Sequence, residues 1–382
     1  AQFGKCVGDT ARTDPDCLAA NLNPIGTNAW RVKLFEPEGK IVYERNSNFR
    51  EYESVYFDTI TLRKIEDTPA GLDLLCESEG TNFASNLPFT SALIIQNEQV
   101  DRCDLIRGES LGVEFLEINF ANPDPALGDK RSELVRKAIS LALDRATIAK
   151  FAANFDTVPS CNILTVPLLA NPSNHRCDQD SQAAMTLLDE AGYIDNDGNG
   201  VREANGSNLT LNYQFSMNPI HHPPPAEIMS QLSAIGINIE LQMVTADAFF
   251  GSDPYDTGMF AQMYTDIQSY RLIATHSNLT LFFAKWLCEN ANSRENQWQG
   301  GNAGRYCNRN YDKLFSAFKA EIDPAKHLKM ASQLNDILID DYAIIPLNQP
   351  YTTHAKSKNL KGPATSNFDS VLWNVATWRY VQ

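Results

Sequence analysis

Strands and helices alternate along the whole sequence, which predicts an α/β protein built on mixed sheets. Two bulk observations agree with that class. A chain of 382 residues is long enough to bury a full core and is better divided into two domains than one. Its 43% hydrophobic and 21% charged residues are those of an ordinary globular protein.

The elements follow in order. After a segment holding Cys6 and Cys17, Trp30, Val32 and Leu34 alternate, and Ile41, Val42 and Tyr43 form a second run. Pro37 and Gly39 lie between them, which predicts a hairpin. "FDTITLRKI" (57–65) alternates again as a third strand, and "TPAGLDLLCESEG" (68–80) reads as a helix between Thr68 and Gly80. "GVEFLEINFA" (112–121) is strand-like. In "DKRSELVRKAISLALDRATIAKFA" (129–152), Leu134, Ala138, Leu141 and Ala142 share one face, predicting a single long helix. A helix at 180–192, a strand at 207–216, a helix ending at Gly236 and a strand at 237–244 come next. "GMFAQMYT" (258–265) reads as a further strand. Helices at 310–322 and 324–341 precede "YAIIPLNQPYTTHA".

The formal net charge of −15 argues against nucleic acid as a partner, because the phosphate backbone would repel it. No apolar run reaches the ~20 residues that span a bilayer. With no basic n-region or apolar h-region after Ala1, the expectation is an export signal already removed. Eight cysteines fall in four near pairs, Cys6/Cys17, Cys76/Cys103, Cys161/Cys177 and Cys288/Cys307. None has the tight spacing of a zinc site, and loop-sized gaps fit disulfides in an oxidising compartment. The connectivity stays open, since eight cysteines allow about 105 pairings. Cys288/Cys307 is the favoured pair because it brackets a polar loop that a staple would order.

"GYIDNDGNGVREANG" (192–206) opens like a calcium loop, with Asp195, Asp197 and Asn199 on alternate positions. The twelfth position, where such a loop needs a bidentate Glu, is Gly206, and a strand rather than a helix follows. A tight turn in which Asp and Asn bond the backbone is expected instead, with no metal. No nucleophile elbow, zinc helix or phosphate loop is present, so neither enzymatic activity nor a cofactor is expected.

Several blocks together resemble the dipeptide/oligopeptide-binding family, the extracellular solute-binding proteins of peptide ABC importers. They are "NPIGTNAW" (23–30), "KIVYERNSNF" (40–49), "ESEGTNFASNLP" (77–88), "DKRSELVRKAISLALDRATI", "DEAGYIDNDGNGVRE" (189–203), "RYCNRNYDKLF" (305–315) and "DDYAIIPLNQP" (340–350). The likeness runs from about residue 21 to 380. It implies a two-lobe periplasmic-binding-protein-like fold, with lobe I formed by 1–112 and 344–382 and lobe II by 113–343. Two such lobes close on a ligand by hinge motion. In the family the block that begins here at Asn23 lies well inside the mature chain. The sequence therefore corresponds to the C-terminal two-thirds of a member, without the first part of lobe I and the small extra domain. A second chain supplying that segment is a possible partner.

The resemblance also implies ligand-binding residues. Asp266 falls where the family grips a peptide's amino group, three residues beyond Met263, which replaces an aromatic. A carboxylate shielded from water makes a strong charge-assisted bond there. Tyr264 and Tyr270 are candidate walls of the same cleft. No Arg or Lys stands in "NPIHHPPPAEIMSQLSAIGI", leaving His221 and His222 as the only local groups for a peptide carboxylate. The function implied is a periplasmic or extracellular receptor that passes a short peptide or similar solute to a membrane permease. The alternative is an interaction module, or a processed fragment of such a receptor, that transports nothing.

Overall fold

The computed structural model describes residues 6, 14–22, 24–36, 39–64, 82–85, 87, 103–109, 112–121, 131–152, 157–165, 177–217, 224–251, 259–273, 279–366 and 369–381. The chain divides into two compact units. One comprises 1–87, 91–107 and 353–382, the other 88–90 and 108–352.

The first unit opens with helix α1 (Pro15–Leu22), whose buried Cys17 is disulfide-bonded to Cys6. Strands β1 (Trp30–Phe35), β2 (Lys40–Arg45) and β3 (Thr59–Arg63) form an antiparallel sheet in that order. The expected hairpin is present, with Trp30 opposite Arg45 and a register shift between Val32 and Leu34. Ala29, Trp30 and Val55 make a small core under it, and the Trp30 indole donates to the Phe57 carbonyl at 3.2 Å. β4 (Phe83–Ala84) and β5 (Cys103–Glu109) follow. The helix expected at 68–80, including Cys76, lies outside the described residues.

The second unit begins with β6 (Gly112–Ile118), buried at every position. The long helix expected at 129–152 is two helices, α2 (Glu133–Ala142) and α3 (Arg145–Phe151). Asp144 breaks it: its carboxylate accepts from the Ala146 and Thr147 amides as an N-cap, and a capping residue needs non-helical backbone. Apolar periodicity continues through the break, which is why the sequence reads as one element.

Next come β7 (Thr157–Pro159), α4 (Ser181–Glu190), the short pair β8 (Glu203–Ala204) and β9 (Ser207–Asn208), and β10 (Thr210–Met217). α5 (Pro225–Ser233) and β11 (Asn238–Thr245) follow as expected, with Gly236 at φ 87° after the helix. Two short helices, α6 (Ala246–Phe250) and α7 (Met259–Gln262), precede β12 (Ile267–Ile273). The strand expected at 258–265 is thus corrected: residues 259–262 are helical, and the strand starts at Ile267. Helices α8 (Thr280–Ala284), α9 (Arg309–Ala320) and α10 (Pro324–Asp340) lead into β13 (Ile344–Ser357).

The sheet of this unit runs β11-β10-β12-β6-β13, with β7 also on β13. β10 is parallel to both β11 and β12, whereas β6 is antiparallel to β12 and β13. Alternation along β6 sends Leu116 and Ile118 to a core shared with α2, α4 and α5. Val113 and Phe115 face the opposite core, built on α8, α9 and α10. The unit is therefore a three-layer α/β arrangement. In the first unit, the end of β13 pairs with β4 through Ala355 and Lys356, and β14 (Leu360–Lys361) pairs with β15 (Arg379–Tyr380).

Disulfides join Cys6 to Cys17, Cys161 to Cys177 and Cys288 to Cys307. Cys103 is also disulfide-bonded. Among the described residues, no helix is long and apolar enough to cross a membrane.

Candidate functional site

Two glutamates in a fully buried strand demand compensation, and β6 carries both Glu114 and Glu117. The antiparallel partner β12 supplies it: Gln268 lies opposite Glu117, and Arg271 opposite Glu114. Arg271 Nη2 sits 3.3 Å from Glu114 Oε1, and Asn348 donates to Glu114 Oε2 at 2.7 Å. Glu117 Oε2 accepts from the Tyr270 hydroxyl at 2.5 Å and lies 3.5 Å from Lys285 Nζ. Lys285 also donates to the Tyr270 oxygen. Burial lowers the Lys285 ammonium below the ordinary lysine value, and the neighbouring Glu117 restores part of it. Tyr270 is held well above its usual value, first by burial and then by the charge of Glu117.

A third acid stands at the amino end of β12. The Asp266 side chain is buried, and its Oδ1 accepts from Arg131 Nε at 2.8 Å and from Nη2 at 2.5 Å. Oδ2 accepts from the Asn212 amide at 2.9 Å. The Asn119 side-chain amide donates to the Met263 and Thr265 carbonyls, and its backbone N–H to the Asp266 carbonyl. Of the four expected ligand residues, Met263, Tyr264 and Asp266 thus stand together at the amino end of β12, and Tyr270 lies within the strand. Asp266 is the first residue before a strand, not the mouth of a loop after one, and its carboxylate is taken up by Arg131 and backbone. Met263 is buried with φ 37°. Tyr264 is 68% exposed at the same end, while Tyr270 is buried in the strand and bonded to Glu117. His221 and His222 lie outside the described residues.

Sequence reasoning passed over Arg131, Glu114, Glu117, Arg271 and Lys285. The signal was present in "GVEFLEI", where two acids interrupt an otherwise apolar strand. Such acids call for buried cations on a neighbouring element.

The carboxyl ends of β10, β11 and β12 point the same way. β10 connects through α5 to β11 on one side while β12 lies on the other, so the strand order reverses between β10 and β12. Ligands of open α/β sheets bind outside the carboxyl ends of strands at such a reversal. Aromatic side chains gather over these strands: Phe260 lies 4.7 Å from the Tyr270 ring and 5.6 Å from Phe250. Phe250, Ile273 and Met259 expose 50%, 48% and 43% of their surface. Beside them, Gln268 donates to Gln214 Oε1 at 2.8 Å and to the Met259 carbonyl at 3.1 Å. Apolar walls with a few amides can hold a small ligand through contact area and directed hydrogen bonds.

The loop at 195–203 brings Asp195, Asp197 and Glu203 oxygens within 4.8 Å of one another. Most of these oxygens accept a hydrogen bond from within the loop, while Glu203 Oε2 is buried without a hydrogen-bond partner among the described residues. Asp195 accepts from the Gly198 and Gly200 amides, Asp197 from Asn199, and Glu203 Oε1 from Asn196. Gly198 and Gly200 have φ of 74° and 86°, which non-glycine residues adopt at a cost.

Comparison with known proteins accords with this architecture. The sequence model of bacterial extracellular solute-binding proteins, family 5 middle region, matches residues 5–286. The oligopeptide-binding protein AppA of Bacillus subtilis is 23% identical over 347 residues, which is 89% of this chain and 59% of that protein. The dipeptide-binding protein DppE of the same organism is 18% identical over 92% of this chain and 60% of its own length. The chain thus spans about three-fifths of these curated relatives. Among solved structures, AppA of B. subtilis in complex with a nonapeptide superposes with a TM-score of 0.69 at 20% identity, covering 98% of this chain and 71% of that one. NikZ of Campylobacter jejuni in complex with Ni(L-His) gives 0.74 at 19% identity, with 97% and 72% covered. These structures share the two-lobe α/β fold. With a match across well over half of its length, the chain belongs to family 5 of the bacterial extracellular solute-binding proteins.

Proposed function

We propose that this chain is the substrate-binding component of an ABC importer. It captures a short peptide or related solute outside the cytoplasm and passes it to a membrane permease, by binding and not by chemistry. The family match carries this reading, and the peptide-binding relatives give the solute class. The disulfides support an exported location, because such bonds persist in oxidising compartments.

Within the second unit, the carboxyl ends of β10 and β12 are the surface we assign to the solute, with Phe250 and Ile273 giving apolar contact. Asp266 is left out of the ligand set, since Arg131 already neutralises it. The acids and bases of β6 and β12 act as scaffold.

Thermal unfolding in the presence of a peptide series tests this. A peptide that binds only the folded state raises Tm progressively with the logarithm of its concentration above Kd. Phe250→Ser should weaken that ligand roughly tenfold, in line with losing a buried aromatic contact. No Tm response to any di- to nonapeptide, combined with no small molecule retained in native mass spectrometry, would overturn the proposal.

A further inference from the structure

The amino end of β12 presents a surface that the proposed solute site does not use. Six non-glycine residues among those described have positive φ, and four of them converge here: Met263 (37°), Gln297 (55°), Trp298 (60°) and Arg305 (57°). Each such residue is strained and persists only where its surroundings enforce it. The enforcement is visible. Arg305 donates to the Asn292, Ala303 and Met263 carbonyls at 3.0, 2.9 and 3.3 Å, and to the Gln262 carbonyl. Asn292 reaches the Ala261 carbonyl at 2.7 Å and accepts from the Gly301 amide at 2.7 Å. The Cys288–Cys307 disulfide closes the loop behind them.

What this strain holds in place is an aromatic pair. The 68% exposed Tyr264 stands edge-on to the half-buried Trp298, with ring centroids 6.0 Å apart at 76°. The Arg305 guanidinium carbon lies 5.4 Å from the Trp298 centroid. Arg305 has no carboxylate partner among the described residues, although the chain carries fifteen more acids than bases. Its acceptors are neutral carbonyls and the Asn119 amide oxygen. Burial lowers its guanidinium first, while the neighbouring Tyr264 and Glu117 favour its charge and Arg131 opposes it; Glu117 also pairs with Lys285. A partly buried cation beside an aromatic face, with no carboxylate bonded to it among the described residues, favours a ligand that brings both a ring and an anion.

We propose that Tyr264, Trp298 and Arg305 form a recognition site for an aromatic carboxylate. Two sources share that chemistry: a free aryl acid, and a polypeptide ending in an aromatic residue. The ring packs on Tyr264 and Trp298, and the carboxylate faces Arg305.

The test is titration of the isotopically labelled protein, reading the Trp298 indole N–H resonance by NMR. Phenylacetate probes the free acid and N-acetyl-phenylalanine the chain terminus. Whichever binds should shift that resonance saturably, and the tighter of the two identifies the source. N-acetyl-phenylalanine amide, lacking the charge, should bind roughly tenfold more weakly. Tyr264→Ser should lose roughly tenfold in affinity with Tm unchanged, because that side chain is mostly in water. No saturable shift with either acid, equal binding of acid and amide, or full affinity in Tyr264→Ser would each overturn the proposal. Arg305 is left unmutated, since it also holds the backbone. A peptide without an aromatic carboxyl-terminal residue, bound at the carboxyl ends of β10 and β12, should not compete, so failure here leaves that function standing.

Discussion

Two carboxylates on the same strand pair are buried to the same degree and satisfied very differently. Asp266 takes two N–H groups of Arg131 on one oxygen and a backbone amide on the other. Glu117 takes Tyr270 and a more distant Lys285 on Oε2, while its Oε1 is buried without a hydrogen-bond partner among the described residues. The first is a closed joint, made with a cation that stays charged at any ordinary pH. The second is looser, made with a cation that titrates.

The largest effect should come from breaking the closed joint. Asp266→Asn removes the buried charge that faces Arg131 and is expected to cost about 3–5 kcal/mol in denaturant unfolding. A loss below about 1 kcal/mol would show that the joint is worth no more than a surface pair. Lys285→Met strands Glu117 and should cost about 3 kcal/mol, somewhat less because the acid is already partly unpaired.

pH separates the two further. Lys285 titrates lower in the folded protein than in the unfolded chain. Below the unfolded lysine value the unfolded chain therefore holds more protons, and this residue's contribution to stability rises with pH. Between about pH 8 and about 9.5, wild type should gain stability relative to Lys285→Met, whereas removing Arg131 should leave the slope unchanged. The window stops short of tyrosine titration, because Tyr270 is shifted upward and would contribute the opposite sign. The smallest effect is expected for the double variant Glu117→Gln/Lys285→Met. It removes both charges together and should fall within about 1 kcal/mol of wild type. A loss as large as the single variant's would mean that Glu117 does not depend on Lys285.

Much of the fold was legible because its elements obey short-range rules. Apolar runs marked β10 and β11, Gly236 marked the end of α5's turn, and the 310–341 helices followed their periodicity. Long-range pairing was not legible. β12 reads "IQSYRLI", a polar sequence for a buried strand, and its polar groups are matched by residues far away in the chain. Tyr270 finds Glu117 at a separation of 153 residues, and Asp266 finds Arg131 at 135. Without those partners in view, the strand reads as starting nine residues early, over "GMFAQMYT". Asp266 then stands at the end of a strand instead of its beginning, and an acid bonded to Arg131 reads as a ligand anchor. The Asp195 loop went the other way, because its hydrogen bonds span at most a few residues and the glycine positions alone define them.

The clasp at Cys288–Cys307 has a bearing on how the molecule is made. A bond closing a loop of 19 residues removes roughly 3 kcal/mol of disorder from the unfolded chain. Synthesised where glutathione keeps thiols reduced, the polypeptide would lack that help while still having to set four unfavourable backbone angles nearby. Maturation of this corner is thereby tied to oxidation, so material produced in a reducing host should be sorted by its redox state before any of its surfaces is assayed.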